Sequence, residues 1–191
     1  MGTVILDTSM SLDGFMTADN RSAEVPLGTG GEVLTKWAMD DAVGVELLGA
    51  WVGNLGASIA GRVTYDTSLP WWGPNGPSGE ARRPLFVVTH EAPEDTLENG
   101  VYSFVTDGIE RALAKAQAAA GDKDVVVMGG ANLGRQYLRA GLVDEVQIHL
   151  VPVVLGAGTP MFDGVGRLDL TTLEAIRSER ATHLRFRIHP R

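Results

Sequence analysis

"DVVVMGGANLGRQYL", residues 124–138, decides how this chain is read. Three consecutive valines mark a buried strand, and the run stops at Gly129-Gly130. Residues 131–141 then carry apolar side chains at helical spacing and end on Gly141. A buried strand that feeds a helix through a two-residue turn is the building unit of a parallel, doubly covered sheet. The glycine pair itself has two readings. It is a turn that needs a positive φ, or it is a place where a ligand touches the backbone. In the second reading the N–H groups of Gly130, Ala131, Asn132 and Leu133 open the helix without partners. They carry the positive end of its dipole, which suits a phosphate. The dinucleotide fingerprint G-x-G-x-x-G does not follow this strand. "GTGGEV" at 28–33 does not fit it either, because Val33 stands where its third glycine belongs.

Outward from this stretch the same alternation continues. Residues 3–10 alternate as a strand, and 11–20 read as a loop with Asp13-Gly14 as its turn. A short helix is expected near 32–39, and 43–55 carries apolar residues at helical spacing. "ASIAG" (57–61) is a short buried strand, followed by one or two helical turns in "RVTYDTSL" (62–69). "PWWGPNGPSGEARR" (70–83) has the composition of a loop. "PLFVVTH" (84–90) and "VYSFVT" (101–106) are strands. Asp107 is the expected N-cap of an alanine-rich helix that Gly121 stops. "DEVQIHLVPVVLG" (144–156) reads as a long strand interrupted at Pro152, and two alternating strands close the chain. There is no repeat or linker, so residues 1–191 form one expected domain. Its fold class is α/β, with a mostly parallel central sheet covered on both faces and an antiparallel C-terminal edge.

In such sheets ligands bind outside the carboxyl ends of the strands. Four spots fall there: Asp13-Gly14, Gly61-Arg62, Thr89-His90 and Gly129-Gly130. Arg62 can grip a phosphate through charge-assisted bonds, and Thr64 adds a hydroxyl. Each signal alone equally fits a solvated turn. Trp37, Trp71 and Trp72 lie at loop edges, where tryptophans either stack on a planar ligand or seal a core rim.

Bulk composition narrows the field. The 191 residues are 44% hydrophobic and 21% charged, which suits a sizeable core. With no cysteine, disulfides, thiolate metal sites and cysteine nucleophiles are excluded. The net charge of -8 argues against a broad nucleic-acid surface. No metal-binding histidine pair, serine elbow or Walker loop is present. The start has no basic segment before an apolar one, and no stretch is long enough to span a bilayer, so a cytoplasmic protein without membrane or nucleic-acid partners is expected.

Taken in order, "SMSLDG", "GRVTY", "VVTH", "VVVMGGANL" and "GLVDEVQIHLVPVVLGAGTPMFDG" resemble the dihydrofolate reductase-like family. The nearer likeness is to its branch containing the reductase domain of the bifunctional riboflavin-biosynthesis deaminase-reductase. It spans nearly the whole chain. The resemblance implies a three-layer α/β/α sandwich, NADPH as hydride donor, and a small heterocyclic substrate of pteridine, pyrimidine or riboflavin-precursor type. It assigns Gly129, Gly130, Ala131, Asn132 and Leu133 to the pyrophosphate and nicotinamide side. Gly61, Arg62, Val63 and Thr64 fall to the phosphates, and Thr89 and His90 to the adenosine ribose. Gly14 lies near the nicotinamide, and Asp13 is the candidate catalytic carboxylate. Trp37, Trp72, His149 and Pro152 are candidates for the substrate side. A homodimer is implied through the terminal-strand side of the sheet. With four weak signals on one cleft, the ligand reading of the glycines overtakes the packing one. The alternative function is a non-catalytic NADP(H)- or flavin-binding protein on the same fold. The acid-bearing first helix of true dihydrofolate reductases has no match among Glu32, Asp40 and Asp41, and the deaminase zinc motif is absent.

Overall fold

The computed structural model describes residues 2–189. In chain order the elements are β1 (Val4–Ser11), β2 (Phe15–Thr17), α1 (Trp37–Asp40), α2 (Ala42–Asn54), β3 (Leu55–Gly61), α3 (Arg62–Trp72), β4 (Leu85–Val88) and β5 (Tyr102–Val105). They continue as α4 (Ile109–Ala120), β6 (Asp124–Val127), α5 (Ala131–Arg139), β7 (Glu145–Val151), β8 (Thr159–Pro160), β9 (Leu170–Arg177) and β10 (Thr182–Ile188). An eight-stranded sheet has the order β5-β4-β3-β6-β1-β7-β10-β9. From β5 to β7 every pairing is parallel, and β10 and β9 close the edge antiparallel. Among the described residues no helix is long and apolar enough to cross a membrane.

Strand alternation sorts side chains onto two faces. Val4, Leu6, Ala57, Ile59, Val125 and Val127 point to one face and pack with Ala112, Leu113 and Ala116 of α4 and Leu133 and Tyr137 of α5. Small residues bring α4 close: a Cβ on Gly56 would stand 2.5 Å from that of Ala120. Burial of each large aliphatic chain along this seam contributes roughly 1.5–3 kcal/mol. The opposite face carries α2 and α3. Ile5, Leu55 and Val126 meet Trp51 of α2, while Ala60, Leu85 and Val87 meet Tyr65 of α3. Three layers, α/β/α, result.

Beyond the shelter of α2 this second face turns polar. Register aligns Asp7 with Gln147 and Ser9 with His149, then His183 with His149 and Arg185 with Gln147. A trough of about 220 Å³ lies between α2 and this stripe.

Three local expectations change. Asp107 does not cap α4, because Gly108, at φ 94°, takes the N-cap position and the helix starts at Ile109. Residues 70–72 are not loop: α3 runs through Pro70 to Trp72, whose side chain packs against the cluster around Tyr65 and Leu85. Pro70 lies inside the helix and has no N–H to donate to the Asp66 carbonyl one turn back. The loop expected at 11–20 contains β2, paired with β8 and tied by Thr17 Oγ1 donating to Thr159 Oγ1 at 2.8 Å. A ladder this short has no periodicity to read.

Candidate functional site

The carboxyl ends of β4, β3, β6 and β1 stand side by side in that order. Register places Gly61 beside Val88, and Leu6 beside Val127. The Gly61 N–H donates to the Gly129 carbonyl at 2.9 Å, joining two of the sequence-flagged spots directly. From β3 the chain departs through α3 to β4; from the neighbouring β6 it departs through α5 to β7, on the other face. Connections that leave adjacent strands in opposite directions open a crevice between them, the place where doubly wound sheets take ligands.

Both helices present bare N-termini to that crevice. Neither Gly61, which caps α3, nor Gly130, which caps α5, is supplemented by a side-chain hydrogen bond. The first-turn N–H groups of Arg62, Val63 and Thr64, and of Ala131, Asn132 and Leu133, therefore lack helical acceptors. Gly129 has φ 96° and precedes Gly130 through a cis peptide bond. Gly130 itself has an ordinary φ of -75°. A Cβ on it would stand 3.5 Å from Thr64 Oγ1, and one on Gly61 would be no nearer than 3.7 Å to anything. Nothing in the chain demands glycine at either place, whereas a ligand laid on the backbone would.

The side chains around the crevice are less free. Arg62 Nε donates to both carboxylate oxygens of Asp66, at 2.7 and 2.9 Å, and its Nη1 donates to the Glu91 carbonyl at 3.2 Å. Thr89 Oγ1 donates to that same carbonyl at 2.8 Å, which draws the ends of β3 and β4 together. His90 is exposed, Leu133 is buried in the core, and Asn132 Oδ1 accepts from Gln136. Asp13 sits just beyond β1. Its carboxylate accepts from Ser11 Oγ at 2.6 Å and from the N–H groups of Leu155 and Gly156 at 3.1 and 2.7 Å. The Ser11 hydroxyl, with these backbone donors, lowers its pKa to about 2. Asp13 is an ionised anchor for the loop after β7, and a carboxylate so held carries no proton near neutrality.

The four candidates for the substrate side separate. Trp72 stands at the far end of α3, about 15 Å along the helix from Gly61, and belongs to the opposite end of the sheet. Pro152 is exposed just past β7, in a shallow depression with Val33, Lys36 and Arg180. Trp37 and His149 come together: their rings stack with centroids 3.8 Å apart, and the indole N–H donates to Ser9 Oγ at 2.8 Å. Both are buried: Trp37, at the start of α1, seals a core rim, and His149 lies within β7.

Around His149 lies a network that sequence reading missed. Its Nε2 is 3.2 Å from Asp7 Oδ2, which also accepts from Gln147 Nε2 at 2.8 Å. Its Nδ1 faces the Nδ1 of His183 at 2.7 Å. His183 Nε2 is 3.1 Å from Ser178 Oγ. Ser178 in turn bonds Asp41, the N-cap of α2, whose carboxylate also accepts from Val43, Gly44 and Arg180 N–H groups. The available sequence signal was Asp7 directly after the apolar run Val4–Leu6 of β1, a residue type almost never buried unless paired.

The family model for the RibD C-terminal domain matches residues 2–184. An uncharacterised Bacillus subtilis protein, YyaP, is 28% identical over 170 residues, covering 83% of this chain and 79% of the relative. A pyrimidine reductase-like protein of Corynebacterium diphtheriae superposes with a TM-score of 0.65 at 14% identity, covering 100% of this chain and 93% of that one. Dihydrofolate reductase of Enterococcus faecalis, solved with NADP(H), gives a TM-score of 0.61 at 12% identity, covering 99% and 98%. These structural likenesses show the fold.

Proposed function

The chain belongs to the RibD C-terminal domain family, and from that membership we propose an NADPH-dependent reductase that transfers hydride to a small heterocycle of the aminopyrimidine or pteridine type. The observation that carries this reading is the crevice between β3 and β6, where α3 and α5 open without side-chain caps over glycines that the fold itself does not require. The pyrophosphate would lie on Gly61, Gly129 and Gly130 and on the N–H groups of Val63, Thr64, Ala131, Asn132 and Leu133. Adenosine would extend toward Thr89 and His90 on β4, with Arg62 beside its 2′-phosphate. By the strand order, the nicotinamide then falls toward the β6–β1 side, near Gly14.

Bound there, the coenzyme supplies a hydride to an electrophilic carbon of the substrate. The chain's own residues orient the reactants and exclude water. Ser9 and His149 line the substrate side of β1 and β7, with Trp37 stacked above. The pterin-binding acid of dihydrofolate reductases is not expected here, because Asp41 already holds three backbone N–H groups.

Calorimetric titration with NADPH and NADH, followed by NADPH oxidation with a panel of aminopyrimidines and dihydropteridines, tests the reading. NADPH should bind more tightly than NADH and be consumed with at least one heterocycle. Binding without consumption would favour a non-catalytic nucleotide-binding protein, and no binding would remove the reading altogether.

A further inference from the structure

We infer that Asp7 and His149 share a stored proton and deliver it to the heterocycle as its carbon is reduced; this inference rests on the hydride-transfer reading above. At the far end of the network the donors and acceptors fix one another. Asp41 is an ionised acceptor, its pKa held at about 2 first by the Ser178 hydroxyl and further by backbone donors. The Ser178 hydroxyl has one proton to donate, toward the Ala181 carbonyl at 3.1 Å or the Asp41 carboxylate, neither of which has a proton to give back. Ser178 Oγ is then an acceptor toward His183, and His183 Nε2 must donate to it. Burial and the neighbouring His149 both push His183 below the ordinary histidine range, so it is neutral and its Nδ1 carries a lone pair. Across the 2.7 Å contact, His149 Nδ1 must therefore donate.

This fixes the tautomer of His149 and leaves its Nε2 facing Asp7 Oδ2 at 3.2 Å. With no proton between them, two lone pairs would confront each other in a buried site. The pair must hold one, either as imidazolium and carboxylate or as imidazole and carboxylic acid. Gln147 donates to the same Asp7 oxygen, and the Trp37 ring face stacks on the imidazole. Other charged groups near this stripe are Arg185 and Glu174, which line the trough with His149 and His183.

The position suits delivery. In register, Asp7 stands one strand, about 5 Å, from the end of β6 and one residue short of the level of Gly129. The Asp7 side chain remains 20% exposed while that of His149 is 4% exposed, so Asp7 is the mouth of the pair. As the reacting carbon gains hydride, the C=N or C=O π pair moves to the heteroatom. That atom takes the proton from Asp7, His149 Nε2 is left as a free base, and the pair reloads from water through the exposed carboxylate edge. His183 is a positioning residue, because it holds the tautomer without touching the substrate.

Two variants test this: Asp7→Asn and His183→Gln. Asp7→Asn should keep NADPH affinity within about twofold and lower the single-turnover hydride-transfer rate by about 10²-fold. Imidazole ¹⁵N spectra of the unliganded protein supply a readout independent of turnover. His149 should carry a proton on Nδ1, and His183→Gln should abolish that tautomer preference. A free mixture of His149 tautomers, or an Asp7→Asn enzyme with wild-type rate, overturns the inference alone. Failure of the wild type to bind or oxidise NADPH overturns the reading beneath it as well.

Discussion

At Gly130 the backbone has an ordinary φ and room for a Cβ, so its glycine answers to something outside the fold. Gly130→Val should keep its melting temperature within a few degrees while losing at least about tenfold in NADPH affinity, or about 1.4 kcal/mol; calorimetry beside thermal melting checks both. Asp13 behaves differently. Its folded pKa of about 2 lies below the ordinary 3.8, so the native state binds fewer protons than the unfolded chain between those values. Its stabilisation is fully present above pH 3.8 and is lost as pH falls toward 2. Urea midpoints measured across that window should drop steeply for wild type and less for Asp13→Asn, which starts lower at pH 7. The glycine pair was legible because bare backbone has a recognisable sequence form. The anchoring of Asp13 was not, because its partners, Leu155 and Gly156, lie more than a hundred residues away.

Among the elements, α2 depends on its first residue contact rather than on its own helical propensity. Ala42–Asn54 contains three glycines, and the buried Asp41 caps it while also fastening the β9–β10 turn through the Arg180 N–H. Asp41→Ala should therefore lower the melting temperature by several degrees, more than an exposed cap would, and should loosen the hairpin as well as the helix. Protection of the Arg180 amide from exchange separates the two effects: an unchanged Arg180 would mean that only the helix had lost. Strands with hydrophobic runs and helices bounded by glycine were readable from spacing alone. The cap of α4 was misread because Gly108 at positive φ starts the helix one residue later than Asp107 suggested. The end of α3 was misread because proline and paired tryptophans look like loop until Tyr65 and Leu85 provide a surface for Trp72.

On the scale of the whole molecule, β9 is an exposed edge, with Leu170 and Leu173 at 43% and 39% exposure. Unpaired edges of this kind are usually covered, and a homodimer formed through this side is the expected state in solution. Light scattering at micromolar concentration should return twice the 20.3 kDa chain mass; a monomer mass would refute it. Dihydrofolate should turn over at least about 10²-fold more slowly than the best aminopyrimidine, since Asp41, the buried acid that caps α2, is committed to backbone amides and an unmatched pterin edge leaves donors unsatisfied. Steady-state assays with both substrates decide this. The sheet order and layers followed from alternation along the chain, whereas the polar stripe did not, because Asp7, His149 and His183 meet only through strand register. The crevice between β3 and β6 has a mechanical consequence too. Everything on its β3 side, including β4, β5 and α3, is one uninterrupted stretch of chain, entered through α2 and left through α4. Among the strands the two sides are joined by the β3–β6 ladder alone, itself interrupted near Gly56, while α4 and α2 pack across it. A molecule lying across the crevice acts as a clasp between two halves, and amide exchange along that ladder should slow when the clasp is in place.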